Sequence, residues 1–168
     1  MKSIVATAVV FMCVAVPLSA ELTKPAARKV APDFTSRDAT GGPVQLSTFR
    51  GKVVLLDYWA TWCAGCKVEI PWYVEFQHAY RARGLSAIGV AMDDDGWKSV
   101  TPYLKEHPIS YPIVAGDAQL AQRYGVTALP VTLLIDRTGK IAATHVGLVD
   151  KALFERDLRR LLDEKPSR

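Results

Sequence analysis

Cysteine is scarce in this chain: three residues in 168, one of which, Cys13, falls inside an N-terminal apolar stretch. Two remaining thiolates, with no second CxxC and no His pair nearby, cannot complete a tetrahedral zinc site, so no metal is expected. There is no basic run interleaved with aromatic residues, and the net charge of +4 is mild and scattered along the chain. Both points set nucleic acid aside as a partner. Repeats and low-complexity blocks are also lacking. The longest apolar stretch, from Ile4 to Leu18, falls short of the about 20 residues that a spanning helix needs.

That stretch follows a lone positive charge at Lys2 and ends in Ser19-Ala20-Glu21. It reads as a signal peptide over residues 1–20 with cleavage near Ala20, although Leu18 is large for the −3 position. An uncleaved N-terminal anchor is the alternative. Cys13 follows Val10-Phe11-Met12 rather than the small residues that lipoprotein processing requires, and reads as part of the apolar core of the signal. Either way the folded part lies outside the cytoplasm, in the periplasm, where disulfides persist.

What remains fits one domain, and a hydrophobic content of 49% is ample for its core. Residues 21–29 are polar and Ala/Pro-rich and are expected to form a flexible lead-in. The domain spans 30–162, and 163–168 form a charged tail. Within it, strand and helix signals alternate. Val53 to Trp59 is a nearly continuous apolar run, as in a strand buried on both faces. A helix is predicted from Ala64 to Arg83, with Pro71 inside it and a kink there. Leu85 to Met92 reads as a strand, and Asp93-Asp94-Asp95-Gly96 as caps and dipole partners for a helix from Trp97 to Glu106. Tyr111 to Val114 follows as a short strand and Ala118 to Tyr124 as a helix. Val131 to Ile135 and Lys140 to Val146 form a hairpin around the turn at Asp136-Arg137-Thr138-Gly139, and Lys151 to Leu162 closes the chain as an amphipathic helix. The order implies a mixed central sheet flanked by helices. Phe34 and Val44–Leu46 add an N-terminal hairpin.

The chemistry concentrates in Trp62-Cys63-Ala64-Gly65-Cys66, directly behind the first long strand. A cysteine at a helix start meets unpaired N–H groups and the positive dipole end, which lower thiol pKa values from about 8.5 into roughly the 3.5–7.5 range. Cys66 lies one turn further along the same face and deeper. The roles follow: Cys63 attacks a substrate disulfide and Cys66 resolves the mixed disulfide. A structural staple is disfavoured because so short a ring constrains little unfolded-chain entropy.

The segment Leu56 to Pro71 resembles the active-site region of the thioredoxin superfamily. More narrowly, it is similar to the TlpA/ResA/CcmG (DsbE) group of membrane-linked or periplasmic thiol-disulfide oxidoreductases. The match continues through Ile88–Asp93, Tyr124–Pro130 and Leu133–Ile141, and covers about Ala31 to Leu162. It implies a thioredoxin-like α/β fold with an N-terminal hairpin and a central insertion. It further implies that Pro130 is a cis-proline against the dithiol, with Leu129 offering its backbone to an extended substrate segment. Glu69 matches an acidic residue that such proteins carry three positions after the second cysteine, one helical turn from Cys66, where it can exchange a proton.

Asp57 departs from the narrower group, where Asn is common, and agrees with thioredoxin itself. A carboxylate in a central strand costs several kcal/mol unless protonated or hydrogen-bonded, and beneath the dithiol it reads as a proton acceptor for Cys66 with its pKa raised by burial. Two carboxylates near the sulfurs oppose a thiolate, and Ala64-Gly65 supplies no charge to favour one. Together these point to a reductant. Trp59 is expected in the core and Trp62 as a shield for the sulfurs that contacts substrate. His78, His107 and His145 read as surface or structural. The resemblance implies protein disulfide clients, apocytochrome c among them, and a membrane thiol relay of the DsbD/CcdA kind as electron donor. No cofactor is required, and a monomer is expected. Two other classes compete. A Cu(I)-handling assembly chaperone would use the same sulfurs but needs a further His or Met ligand. A thiol peroxidase would centre on a single Cys in a Thr/Pro setting, which Thr61 alone does not supply.

Overall fold

The computed structural model describes residues 22–165, so the expected signal segment lies outside the described residues. Its strands and helices are β1 (Thr35–Arg37), β2 (Pro43–Gln45), β3 (Val53–Trp59), α1 (Ala64–Tyr80), β4 (Leu85–Ala91), α2 (Trp97–Glu106), β5 (Ile113–Ala115), α3 (Ala118–Tyr124), β6 (Val131–Ile135), β7 (Ile141–Val146) and α4 (Lys151–Asp163). Five strands form one mixed sheet of order β5-β4-β3-β6-β7, parallel from β3 through β5 and antiparallel from β3 through β7. β1 and β2 form the N-terminal hairpin. The central insertion is the excursion through α2 and edge strand β5 between β4 and α3.

Burial follows strand periodicity on both sides of the sheet. Val53, Leu55 and Trp59 of β3 face α1, α2 and α4, where Ile70, Tyr73, Phe76, Val100, Phe154 and Leu158 pack. Phe76 and Phe154 stack with ring centroids 6.1 Å apart. Val54, Leu56 and Tyr58 face the other way, toward α3 and the hairpin residues Phe34, Val44 and Leu46. All seven residues of β3 are buried, which explains why the run carries no polar alternation. Asp57 belongs to the set facing α1, and this register places a carboxyl in the core.

Two expectations need correcting. α1 passes through Pro71 and ends at Tyr80, and residues 81–83 form a 3-10 turn closed by Gly84 at φ 92°. Pro71 is exposed, so the break it makes in the hydrogen-bond ladder falls on the solvent side. The lead-in over 21–29, where it is described, is bonded to the body of the domain. The Thr23 N–H donates to the Ala142 carbonyl at 2.7 Å. Arg28 is buried and reaches Asp136 at 3.1 Å and Glu164 at 2.7 Å. A guanidinium fork satisfied by two carboxylates ties the lead-in to the β6–β7 turn and to the end of α4.

Candidate active site

The tight turn after β3 carries the chain into α1. The Cys63 N–H donates to the Ala60 carbonyl at 3.1 Å. Cys63 is the N-cap of α1, with φ −79° and ψ 108°, and its Sγ accepts the Cys66 N–H at 3.2 Å. A sulfur in the acceptor position of a helix cap is where the unpaired N–H groups stabilise negative charge most directly. Cys63 and Cys66 form a disulfide, with S–S 2.04 Å and Cα–Cα 5.3 Å. Both sulfur-bearing residues are buried, Cys66 the more so. Trp62 beside them is 67% exposed, and Trp59 is fully buried in the core.

Three chain segments converge on the pair. The Leu129–Pro130 peptide is cis. Pro130 lies so close to α1 that a Cβ on Gly65 would sit 3.3 Å from Pro130 Cδ and 3.8 Å from Leu148 Cβ. A side chain at residue 65 would press on the Leu129–Pro130 loop, which would have to give by a few tenths of an ångström. The loop after β7 completes the arrangement. Gly147, at φ 76°, donates its N–H to the Pro130 carbonyl at 2.8 Å, and Leu148 stands 54% exposed beside Gly65. Trp62 and Leu148 thus add large exposed apolar side chains to the surroundings of the disulfide.

On the face of the sheet covered by α1 lies a buried polar group. Asp57 of β3 pairs in register with Thr132 of β6. The Thr132 hydroxyl donates to Asp57 Oδ1 at 3.4 Å and shares a 2.9 Å hydrogen bond with the Tyr73 hydroxyl from α1. Glu69, one turn after Cys66, is 1% exposed, and its Oε1 accepts the Val149 N–H at 3.2 Å. Asp57 Oδ2 and Glu69 Oε2 have no hydrogen-bond partner among the described residues. Desolvation pushes the Asp57 carboxyl well above its usual range, and the neighbouring Glu69 adds to the shift. Desolvation also raises Glu69, against the opposing Val149 N–H.

One step of the sequence reading is adjusted by burial: both Asp57, as expected for a central strand, and Glu69 are shifted upward, which weakens the opposition of two negative charges to a thiolate. The sequence also did not reveal the tie between Glu69 and the β7–α4 loop, nor the Thr132–Tyr73 link. Both depend on register and packing between segments about 60 to 80 residues apart.

A second correction concerns the acidic run. α2 is capped by Gly96 without a side-chain bond. Asp93 is buried and turns back to the active-site turn, accepting the Thr61 N–H at 3.1 Å and the Thr61 hydroxyl at 2.5 Å. Asp95 binds the Ser99 hydroxyl, at 2.9 Å. Asp93 therefore holds the turn two residues before Cys63, a job that spacing in the DDDG run could not announce. Asp93→Ala is expected to destabilise the protein by about 2 kcal/mol, since it removes the acceptor from two donors. A double-mutant cycle with Thr61→Val, followed by denaturant unfolding, should return a coupling of about 1 kcal/mol. Strict additivity of the two changes would show that the pair is not coupled.

The three histidines take no part at the dithiol. His78 and His107 are exposed, and His145 is buried against Phe154 with centroids 4.8 Å apart.

A CxxC disulfide at a helix start, beside a cis-proline loop on a five-stranded mixed sheet, defines a thioredoxin-like thiol-disulfide oxidoreductase. The AhpC/TSA family profile matches residues 27–144, and the chain belongs to that family. Among curated relatives it is 34% identical over 139 residues to the thiol-disulfide oxidoreductase ResA of Geobacillus kaustophilus, covering 82% of this chain and 79% of that protein. The ResA of Bacillus thuringiensis is 31% identical over 134 residues, covering 79% and 77%. Among solved structures, the thiol:disulfide interchange protein DsbE of Chlorobium tepidum superposes with a TM-score of 0.77 at 34% identity, covering 80% of this chain and 96% of the other. The protein is accordingly a thiol-disulfide oxidoreductase with the ResA/DsbE-like fold.

Proposed function

We propose that this oxidoreductase acts outside the cytoplasm as a reductant of protein disulfides. The observation that carries the reading is the pairing of a helix-capping Cys63 with a more buried Cys66 in one disulfide at the start of α1. In the reduced protein the Cys63 thiolate attacks one sulfur of a client disulfide, forming a mixed disulfide and releasing the first client thiolate. The Cys66 thiol then gives its proton to the ionised fraction of Asp57 as its sulfur attacks Cys63 Sγ. The second client thiolate leaves and takes up a proton, and the Cys63–Cys66 disulfide remains. Two electrons have passed to the client. Glu69 exchanges protons on the α1 side of the same cluster. Trp62, the Leu129 backbone and Pro130 receive the client segment.

The direction is supported by Ala64-Gly65, which adds no positive charge between the cysteines to stabilise a thiolate. The donor is a membrane thiol relay of the DsbD/CcdA kind, and apocytochrome c is the proposed client. Among the described residues no helix is long and apolar enough to cross a membrane. The N-terminal apolar segment supplies export, with or without retention as an anchor.

The test is the steady-state redox state in the native compartment, captured by acid quenching and alkylation of free thiols. A reductant is held mostly as the dithiol and shifts to the disulfide when its membrane donor is deleted. A pool that is disulfide-bonded at steady state, and unaffected by the donor, would reverse the proposed direction. Rapid consumption of peroxide that survives Cys66→Ala would favour the peroxidase reading instead.

A further inference from the structure

Cations that are scattered in the sequence gather at one end of the folded domain, opposite the disulfide. β3, β4 and β5 end at the dithiol pole, as their parallel register requires. The segments before β3 and β4, the β6–β7 turn and the end of α4 meet at the far pole. Arg137 is the hub there, donating to the carbonyls of Gly51, Arg83 and Leu162. Around it stand Lys24, Lys29, Arg50, Lys52, Arg81 and Lys165, all exposed. None of the six has an ion-pair partner among the described residues. The carboxylates at this end are engaged locally: Asp136 and Glu164 by Arg28, Asp163 by Arg83, and Asp33 by Gln45 and the Ser47 N–H. A cleft of about 210 Å³ between the Arg28 clasp and α4 is lined by Lys140 and Lys165.

At the dithiol pole exposed carboxylates outnumber unpaired cations: Asp94 and Asp95 follow β4, Asp117 caps α3 and Asp150 caps α4, against Lys67 and Lys98. The molecule is therefore charged along its long strand axis, with a seven-residue strand, roughly 23 Å, separating the two ends. The chain also enters the domain at the basic pole. Thr23 is bonded to Ala142 near the start of β7, and Lys29 to Ile141. The apolar sequence of residues 4–18 therefore joins the domain on its cationic side.

We infer that the pole formed by Lys24, Lys29, Arg50, Lys52, Arg81 and Lys165 docks on an anionic phospholipid surface and turns the Cys63–Cys66 disulfide away from the membrane. Several unpaired Lys and Arg side chains on one surface attract acidic headgroups over about a Debye length. The acidic dithiol pole is repelled by the same surface, so orientation follows from charge alone. The inference concerns the form that keeps its apolar N-terminal segment as an anchor, and there continuity with that segment selects a bilayer over other polyanions as the occupant. The inference rests on the extracytoplasmic placement proposed above but not on the direction of thiol exchange.

Lysine footprinting of the full-length protein tests it. The chain is mixed with vesicles of phosphatidylcholine, or of phosphatidylcholine with phosphatidylglycerol. It is then acylated briefly with an N-hydroxysuccinimide ester and mapped by mass spectrometry. Lys24, Lys29 and Lys52 should react about threefold or more slowly on the anionic vesicles than on the neutral ones, with the difference erased at high salt. Lys67 and Lys98, at the dithiol pole, should react alike on both. The triple variant K29E/K52E/R81E should lose the protection while reducing a model disulfide at the wild-type rate, which also shows that it is folded. Equal protection on both vesicle types would mean that a hydrophobic tether alone places the protein, and would overturn the inference. So would protection of Lys67 and Lys98, or tighter salt-sensitive binding to duplex DNA than to anionic vesicles.

Discussion

Cys66→Ala is expected to halt the reaction cycle after its first half. With the resolving sulfur gone, the Cys63 thiolate still attacks a client disulfide, but nothing displaces the client from Cys63 Sγ. A mixed disulfide should therefore accumulate in the native compartment, and multiple turnover of a model disulfide should fall to the background rate. The structure gives the asymmetry. Cys63 caps α1 and takes the Cys66 N–H at its sulfur, whereas Cys66 lies a turn further along the helix and is more buried. The reciprocal Cys63→Ala variant leaves only that deeper sulfur and should trap almost nothing. Non-reducing electrophoresis and mass spectrometry of the captured species read both outcomes directly. Capture through Cys66 in the Cys63→Ala variant would exchange the two roles. Strong Cu(I) binding by the wild type without disulfide turnover would point to the assembly-chaperone reading.

Asp57→Asn should slow the chemistry and stabilise the fold at once, and the two effects should share a pH dependence. Asparagine keeps the shape and can accept from Thr132, but it cannot take a proton from Cys66. Loss of one acid–base group costs roughly 10²- to 10⁴-fold in the step it serves, read here as the rate at which a preformed Cys63 mixed disulfide is resolved. Stability moves the other way. Burial raises the folded-state pKa of Asp57 above its unfolded value of about 4. A raised acid contributes its full stability below the unfolded pKa. That contribution is lost as pH rises from about 4 through the folded-state pKa. Unfolding free energies of the wild type and Asp57→Asn should therefore diverge with increasing pH, reaching about 2 kcal/mol in favour of the variant. A difference independent of pH between 4 and 9 would mean that Asp57 does not titrate in this window.

The same contrast between pattern and environment runs through the rest of the molecule. The run Val53 to Trp59 was legible as a strand because burial on both faces leaves no room for alternating polarity. The helix behind Cys63 was legible from its position after that strand. The N-terminal hairpin, the β6–β7 hairpin around Asp136–Gly139 and the closing amphipathic helix were likewise written in local turn and period signals. The DDDG run misled because a cap and a long-range clasp use the same residue type. Asp93 finds Thr61, across 32 positions, only when the ends of β3 and β4 lie side by side. Thr23 and Arg28 looked like a loose polar lead-in for a similar reason: their partners, Ala142 for the one and Asp136 and Glu164 for the other, lie more than 100 residues away.

By itself the sequence determined the dithiol, the order of strands and helices that presents it, and the thiol-disulfide exchange that such a pair performs. These are local properties: two sulfurs three residues apart, apolar runs of strand length, and a helix start immediately behind one of them. Tertiary structure alone decided the upward shift of Glu69, the clasp on the active-site turn, and the gathering of scattered cations at the pole opposite the disulfide. Desolvation and electrostatic potential are sums over neighbours in space, and the chain order of those neighbours leaves no trace in a composition or a motif.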